Sequence, residues 1–410
     1  MFVPREAWTR VGCRARIRVK LSPSRTGAAR QRSGYVSTRS LERRGCGSPR
    51  IALTKKTGGT KTKPARGDAT QPSPTPTPAP GPELPRRDLG ITEDVQYLSG
   101  PELDARLDAY VQLGVRWVRF QVIWDVVERH GPGTADWSRY DELVRELHER
   151  GLKPLAIIQT TPAWARVPDC EHVLCPPADA ADYARFAAEA AARYAGRIQH
   201  WEIWNEPNNH YFWKPGPEPQ AYAELLVAAH AAIKAADPQA VVVTGGLAPA
   251  MTERVEAGGY QWVNPVEFVS ALYAHGASKS FDVLAAHPYT FPHLPPHPFI
   301  GSAWYEMYGT SPSIRSLMEA HGDAHKPIWA TEFGAPTGPT SNPRALTEQE
   351  QAEMLERGYE EWVKHSWSGP MIIWAYHDWD ADYEDAHFGL VRADGTKKAA
   401  YYSFQRLAGR

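Results

Sequence analysis

Two glutamates are set in surroundings that suit chemistry. Glu206 lies in HWEIWNEPNNHYFW, His200 to Trp213, where an apolar alternation runs into Asn205-Glu206-Pro207 among three tryptophans. Glu332 lies 126 positions further on in IWATEFGAPT, at the tip of a second apolar run. Two carboxyl groups brought face to face suit glycosidic bond cleavage. One stays protonated and gives its proton to the leaving oxygen, while the other attacks the anomeric carbon or activates a water. The aromatic company suits sugars as well, because sugar rings present C–H faces that pack on indoles while their hydroxyls require polar partners. Each residue also has a plain reading. Glu206 alone is a turn carboxylate, and Glu332 alone is an ion pair with Arg119. Their chemical reading requires that the fold bring them to one place.

The elements that do so repeat along the chain. From Leu89 onward, short β-branched or aromatic runs alternate with amphipathic Ala/Leu/Arg/Glu stretches. The expected strands are 89–93, 116–122, 153–159, 199–204, 240–245, 282–287, 327–332 and 371–376. Helical patterns follow most of them, and one opens on a capping-box pair, Thr347 and Glu350. Eight strand–helix units over about 320 residues predict a (β/α)8 TIM barrel, an α/β fold. The competing open, doubly wound sheet predicts a glycine-rich phosphate loop after an early strand, and no G-x-G-x-x-G is present.

Chemistry in a (β/α)8 barrel sits at the carboxyl ends of the strands. The polar and aromatic residues expected there are Arg119 and Trp124 on the second unit, Gln159 and Trp164 on the third, and Asn205 and Glu206 on the fourth. The sixth supplies His287 and Tyr289, the seventh Glu332 and the eighth Trp374. Tyr211, Phe212 or Trp213 is expected to line the sugar-contacting wall. Glu202, inside the fourth strand, is expected to be a buried structural charge paired with an Arg or His, because a lone buried charge is costly. A metal site is not expected. His293 and His297 lie in a Pro-rich loop without helix-borne spacing, and Cys170 and Cys175 have only His172 nearby as a further ligand.

WEIWNEPN paired with IWATEFG resembles clan A of the glycoside hydrolases. GVRWVRFQVIWDVVE, TPAWA, AADPQAVVVTGGLAP and HPY add a closer resemblance to family 39, in particular its bacterial exopolysaccharide-hydrolase-like members. The resemblance covers about Leu89 to Arg410. It implies a retaining, double-displacement hydrolase with Glu206 as acid/base and Glu332 as nucleophile, no cofactor, and carboxyl groups about 5 Å apart. It further implies that Asn205 contacts the sugar 2-hydroxyl. Arg119 and Tyr289 would keep Glu332 ionised, and Trp374 would form the platform under the sugar. The alternative is a non-catalytic carbohydrate-binding barrel.

The chain has 410 residues and a formal net charge of −1, which hides an asymmetry. The first 67 residues hold 18 Lys+Arg against 2 Asp+Glu, so the remainder is acidic. An acidic body argues against nucleic acid as the catalytic domain's partner, since phosphate neutralisation needs cations. Residues 1–70 read as a disordered basic segment, 71–87 as a Pro/Thr-rich linker of polyproline II type, and 88–410 as the catalytic domain. A structural or nucleic-acid-related role driven by the basic head is a third reading. No apolar run suits a signal peptide or a membrane span. The linker and a possible Cys170–Cys175 bridge favour an extracellular or cell-surface, monomeric enzyme on a polysaccharide or oligosaccharide.

Overall fold

The computed structural model describes residues 88–410 apart from 256–258, 299–302 and 340. The basic segment 1–70 and the linker 71–87 lie outside the described residues. Eight parallel strands form the barrel: β1 Leu89–Thr92, β2 Trp117–Ile123, β3 Lys153–Gln159, β4 His200–Ile203, β5 Val241–Thr244, β6 Leu284–Ala286, β7 Ile328–Phe333 and β8 Ser368–Trp374. Their order is β5-β4-β3-β2-β1-β8-β7-β6. Parallel bridges Val243–Val283 and Leu247–Ala286 join the two ends of this series, so the sheet closes on itself. Closure rules out the open-sheet alternative.

The main outer helices are α1 Gly100–Leu113, α2 Trp124–Val127, α3 Ser138–Glu149, α4 Ala180–Arg193, α5 Pro219–Ala236, α6 Pro265–Ala274, α7 Ala303–Tyr308, α8 Ile314–Ala320, α9 Glu348–Trp362 and α10 Ala399–Leu407. Local chemistry fixes their ends. Gly114, at φ 94°, closes α1 in the left-handed conformation. The Asp179 side chain caps α4, and the Thr347–Glu350 capping box opens α9. The eighth strand begins and ends earlier than the sequence suggests. Beyond Trp374, the carbonyls of Ala375 and Tyr376 accept from Leu390 and Val391, drawing the chain away from β7.

The barrel interior is built in layers. Near the strand starts, Trp117, His200 and Trp329 interlock with ring centroids 4.8 to 5.0 Å apart. Leu155, Val243, Ala285 and Ile372 complete this apolar plug. Side chains two residues apart on a strand share a face. Trp117 is therefore followed inside the barrel by Arg119, and His200 by Glu202. The next interior layer is charged, and it forms the floor of the site.

Candidate active site

Arg119 is the hub of that layer and is fully buried. Its Nε and Nη2 donate to the two carboxylate oxygens of Glu202 at 2.7 and 2.9 Å. Nη2 also donates to Asn205 Oδ1 at 2.7 Å, and Nη1 to Glu332 Oε1 at 2.6 Å. Glu202, the expected structural charge, thus has its arginine, and it accepts the Gly246 N–H at 2.9 Å besides. A buried carboxylate satisfied on both oxygens escapes the penalty of a lone charge.

Glu332 is held from several sides. Tyr289 Oη donates to its Oε2 at 3.0 Å, and His287 Nδ1 lies 3.5 Å from the same oxygen. Burial pushes this carboxyl up. The His287 and Arg119 charges, with hydrogen bonds from Arg119 and Tyr289, outweigh burial and hold it below the usual range. Tyr289 is driven the other way, well above the usual phenol range, by burial and then by the Glu332 and Glu206 charges. It remains a hydrogen-bond donor at all working pH values.

Glu206 is presented by an unusual stretch of backbone. Trp204 and Glu206 adopt φ of 69° and 43°, a left-handed region that few non-glycine residues occupy. The Glu206 N–H is tied to the Gly246 carbonyl at 3.0 Å. Gly246 has to be glycine, since a Cβ there would stand 2.1 Å from His287 Nε2. His287 Nδ1 meets Glu206 Oε1 at 2.8 Å, and Asn209 Nδ2 donates to Oε2 at 2.7 Å. One oxygen each from Glu206 and Glu332, together with a His287 ring nitrogen, lie within 4.8 Å of one another. The same trio could reach one metal ion, but the Arg119 cation at 2.6 Å from Glu332 already serves that charge.

The structure therefore brings Arg119, Asn205, Glu206, His287, Tyr289 and Glu332 together. Arg119 and His287, expected among substrate contacts, are buried and instead hold the carboxyl groups of Glu332 and Glu206. Gln159 is buried at the end of β3, and Trp374 is half-buried at the end of β8. Trp164 is half-buried, and its indole donates to the Glu128 carbonyl at 3.0 Å.

Trp124 requires a correction. It begins α2, is wholly buried, stacks on Phe186 at 5.5 Å and donates to Glu128 at 3.0 Å. It is core between barrel and helices. Trp213 is likewise enclosed, against Trp204 and Tyr222, which leaves the half-buried Tyr211 and Phe212 for the wall.

Two residues escaped the sequence reading. Asn209 grips the carboxyl of Glu206, and the asparagine pair Asn208-Asn209 so close behind Asn205 is the one signal that pointed to it. Asp94, just past β1, accepts from Gln96 and Gln121 at 2.9 and 3.2 Å. Burial pushes its carboxyl up, and the nearby Glu332 charge adds to the rise. Asp94 is thus a third carboxylate beside Glu332.

Residues 181–371 match the family model of the glycosyl hydrolase catalytic core, a span that contains both Glu206 and Glu332. The fold is similar to a family 39 glycoside hydrolase from Bacteroides cellulosilyticus WH2, with a TM-score of 0.60 and 23% identity over 80% of this chain and 65% of that one. It is also similar to a monomeric beta-xylosidase from Caulobacter crescentus CB15, with a TM-score of 0.59 and 24% identity over 80% of this chain and 69% of that one. A wheat (Triticum aestivum) beta-amylase is 33% identical over 86 residues, which is 21% of this chain and 17% of that protein. The chain thus spans about two thirds of the first of these structures and under a fifth of the amylase.

Proposed function

From a glycosyl hydrolase catalytic core on a (β/α)8 barrel, we propose a retaining glycosidase that cleaves a polysaccharide or oligosaccharide by double displacement. The observation that carries this reading is the approach of Glu206 and Glu332 to within 4.8 Å. Retaining enzymes place their carboxyl groups about 5 Å apart, whereas inverting enzymes leave ~6.5–9.5 Å for a water.

In the first step a Glu332 oxygen attacks the anomeric carbon while Glu206 gives its proton to the departing glycosidic oxygen. The C–O bond breaks and a glycosyl ester forms on Glu332. In the second step Glu206, now a carboxylate, takes a proton from a water whose oxygen attacks the same carbon. The ester breaks, Glu332 leaves as a carboxylate, and the sugar departs with its original configuration. Arg119 and Tyr289 stabilise the carboxylate that attacks and later leaves. His287 and Asn209 fix the orientation of Glu206. Asn205, Asp94 and Trp374 are the candidates for gripping the sugar. The likeness in fold to a beta-xylosidase favours a β-linked glycan.

The Cys170–Cys175 disulfide favours an oxidising location, in keeping with an enzyme at or outside the cell surface. No helix among the described residues is long and apolar enough to cross a membrane.

The test is turnover of a panel of 4-nitrophenyl β-glycosides, with the first-formed anomer read by NMR. Glu332→Ala abolishes turnover, and azide restores part of it as a glycosyl azide. An inverted first product, or full activity in Glu332→Ala, overturns the proposal.

A further inference from the structure

A cavity of about 370 Å3 opens between the loops that follow β7 and β8, outside the pair of catalytic glutamates. That volume is within the range of small-molecule sites. Its wall includes Trp379, whose ring lies 5.9 Å from Trp374 with 57° between the planes. Thr337, five residues beyond Glu332, lines it as well. Trp379 thus stands between the cavity and Trp374 at the end of β8.

Direction follows from the barrel. Going round the strands, β4 and β8 are four steps apart and stand opposite one another. Glu206, after β4, protonates the leaving oxygen, so the leaving part of the substrate lies on the β4 side. The β7–β8 side then belongs to the part of the glycan that stays on Glu332, its non-reducing side.

Charge narrows the occupant. The lining holds four carboxylates, Glu348, Asp378, Asp380 and Asp394, against two cations. Both cations are engaged. Arg392 forms two hydrogen bonds of 2.7 Å with Glu348, and Lys398 reaches the two oxygens of Asp378 at 2.8 and 2.7 Å. A uronic or sulfated sugar would find excess negative charge and no free cation. An uncharged sugar finds an aromatic face in Trp379 and hydroxyl acceptors such as the exposed Asp380.

We infer that this cavity binds an uncharged sugar unit one step beyond the cleavage-site sugar on its non-reducing side, so that the enzyme releases products of two or more units. This rests on the glycosidase reading above.

The test uses the full chain and pairs of aryl glycosides: 4-nitrophenyl β-xyloside with β-xylobioside, β-glucoside with β-cellobioside, and β-mannoside with β-mannobioside. For the sugar that reacts, the bioside has at least a tenfold higher kcat/KM than the monoside. Trp379→Ala lowers kcat/KM for the bioside at least tenfold more than for the monoside, mainly through KM, and Trp379→Tyr restores most of the difference. A glucuronic acid at the outer position of the bioside slows reaction at least tenfold. Equal kcat/KM for monoside and bioside, equal losses on both in Trp379→Ala, or preference for the acidic bioside overturns the subsite alone. Absence of turnover on every pair overturns the hydrolase reading and the subsite with it.

Discussion

Removing one hydroxyl, in Tyr289→Phe, tests how the nucleophile is kept ready. The phenol donates to Glu332 Oε2 at 3.0 Å, both groups are buried, and no other described hydrogen bond reaches that oxygen; His287 Nδ1 stands off at 3.5 Å. A hydrogen bond to a charged group is worth about 1.5–3 kcal/mol. Its loss therefore raises the Glu332 carboxyl. The sign is fixed by what the bond stabilises. Tyr289 favours the carboxylate, so its removal favours the acid, and activity that needs the carboxylate is lost at a higher pH. The acidic limb of the kcat/KM profile, which reports the free enzyme, therefore moves toward neutrality. Far above the limb, kcat falls by about tenfold or more where the second step limits turnover, because the same bond stabilises Glu332 as it leaves in that step. The assay is the pH profile of wild type and variant on one aryl glycoside, with thermal melts to confirm folding. An unmoved acidic limb in a folded Tyr289→Phe enzyme would refute the reasoning.

Gly246→Ala places a methyl 2.1 Å from His287 Nε2 and should cost about 1–3 kcal/mol of stability by overpacking. Because His287 orients Glu206, kcat falls at least tenfold in protein that still melts cooperatively; a melt and kcat equal to wild type would exclude this. His200, packed between Trp117 and Trp329, is depressed to about 4, by burial first and then by Lys153. An unfolded histidine takes up its proton near pH 6.5, so stability is lost as pH falls from about 6.5 to 4, by at most roughly 3 kcal/mol and by less where solvent reaches the ring. His200→Phe keeps the packing and removes this part of the acid sensitivity, which urea unfolding at pH 7 and pH 4.5 measures. Reducing the Cys170–Cys175 bridge, which closes a very short loop, costs about 2 kcal/mol by chain entropy. A melting temperature indifferent to reductant would contradict that figure.

The fold was legible because a barrel strand carries two messages at once. Its apolar run marks the strand, and its last residues, freed from packing, carry the polar types that chemistry needs. Glu206 and Glu332 stood out on both counts. Trp124 misled because the sequence does not reveal where the chain turns. The helix begins on Trp124 itself and swings the indole back between β2 and α4, onto Phe186. At the end of β1, Glu93 and Asp94 are adjacent and chemically alike. Glu93 faces outward to Arg106 and Tyr110, while Asp94 faces Gln121. Only the exit angle of a four-residue strand decides between them, and no periodicity that short encodes it. The distal cavity lay beyond reach for a related reason. Its wall comes from two loops whose spatial meeting depends on barrel closure.

Arg119 has a consequence for how such a molecule can come into being. Its partners Glu202 and Glu332 lie 83 and 213 positions away in the chain, on strands that flank opposite parts of the circle. A half-assembled barrel that has gathered β1 to β4 satisfies Glu202 but leaves one arm of the guanidinium without its counter-charge. Only β7 completes the set, and the same strand brings Glu332 opposite Glu206. Partial assemblies are therefore penalised at the centre, where the penalty is largest. The contact that completes the set on Arg119 also holds Glu332 opposite Glu206, so closing the buried ion network and setting the two carboxyl groups face to face are one event.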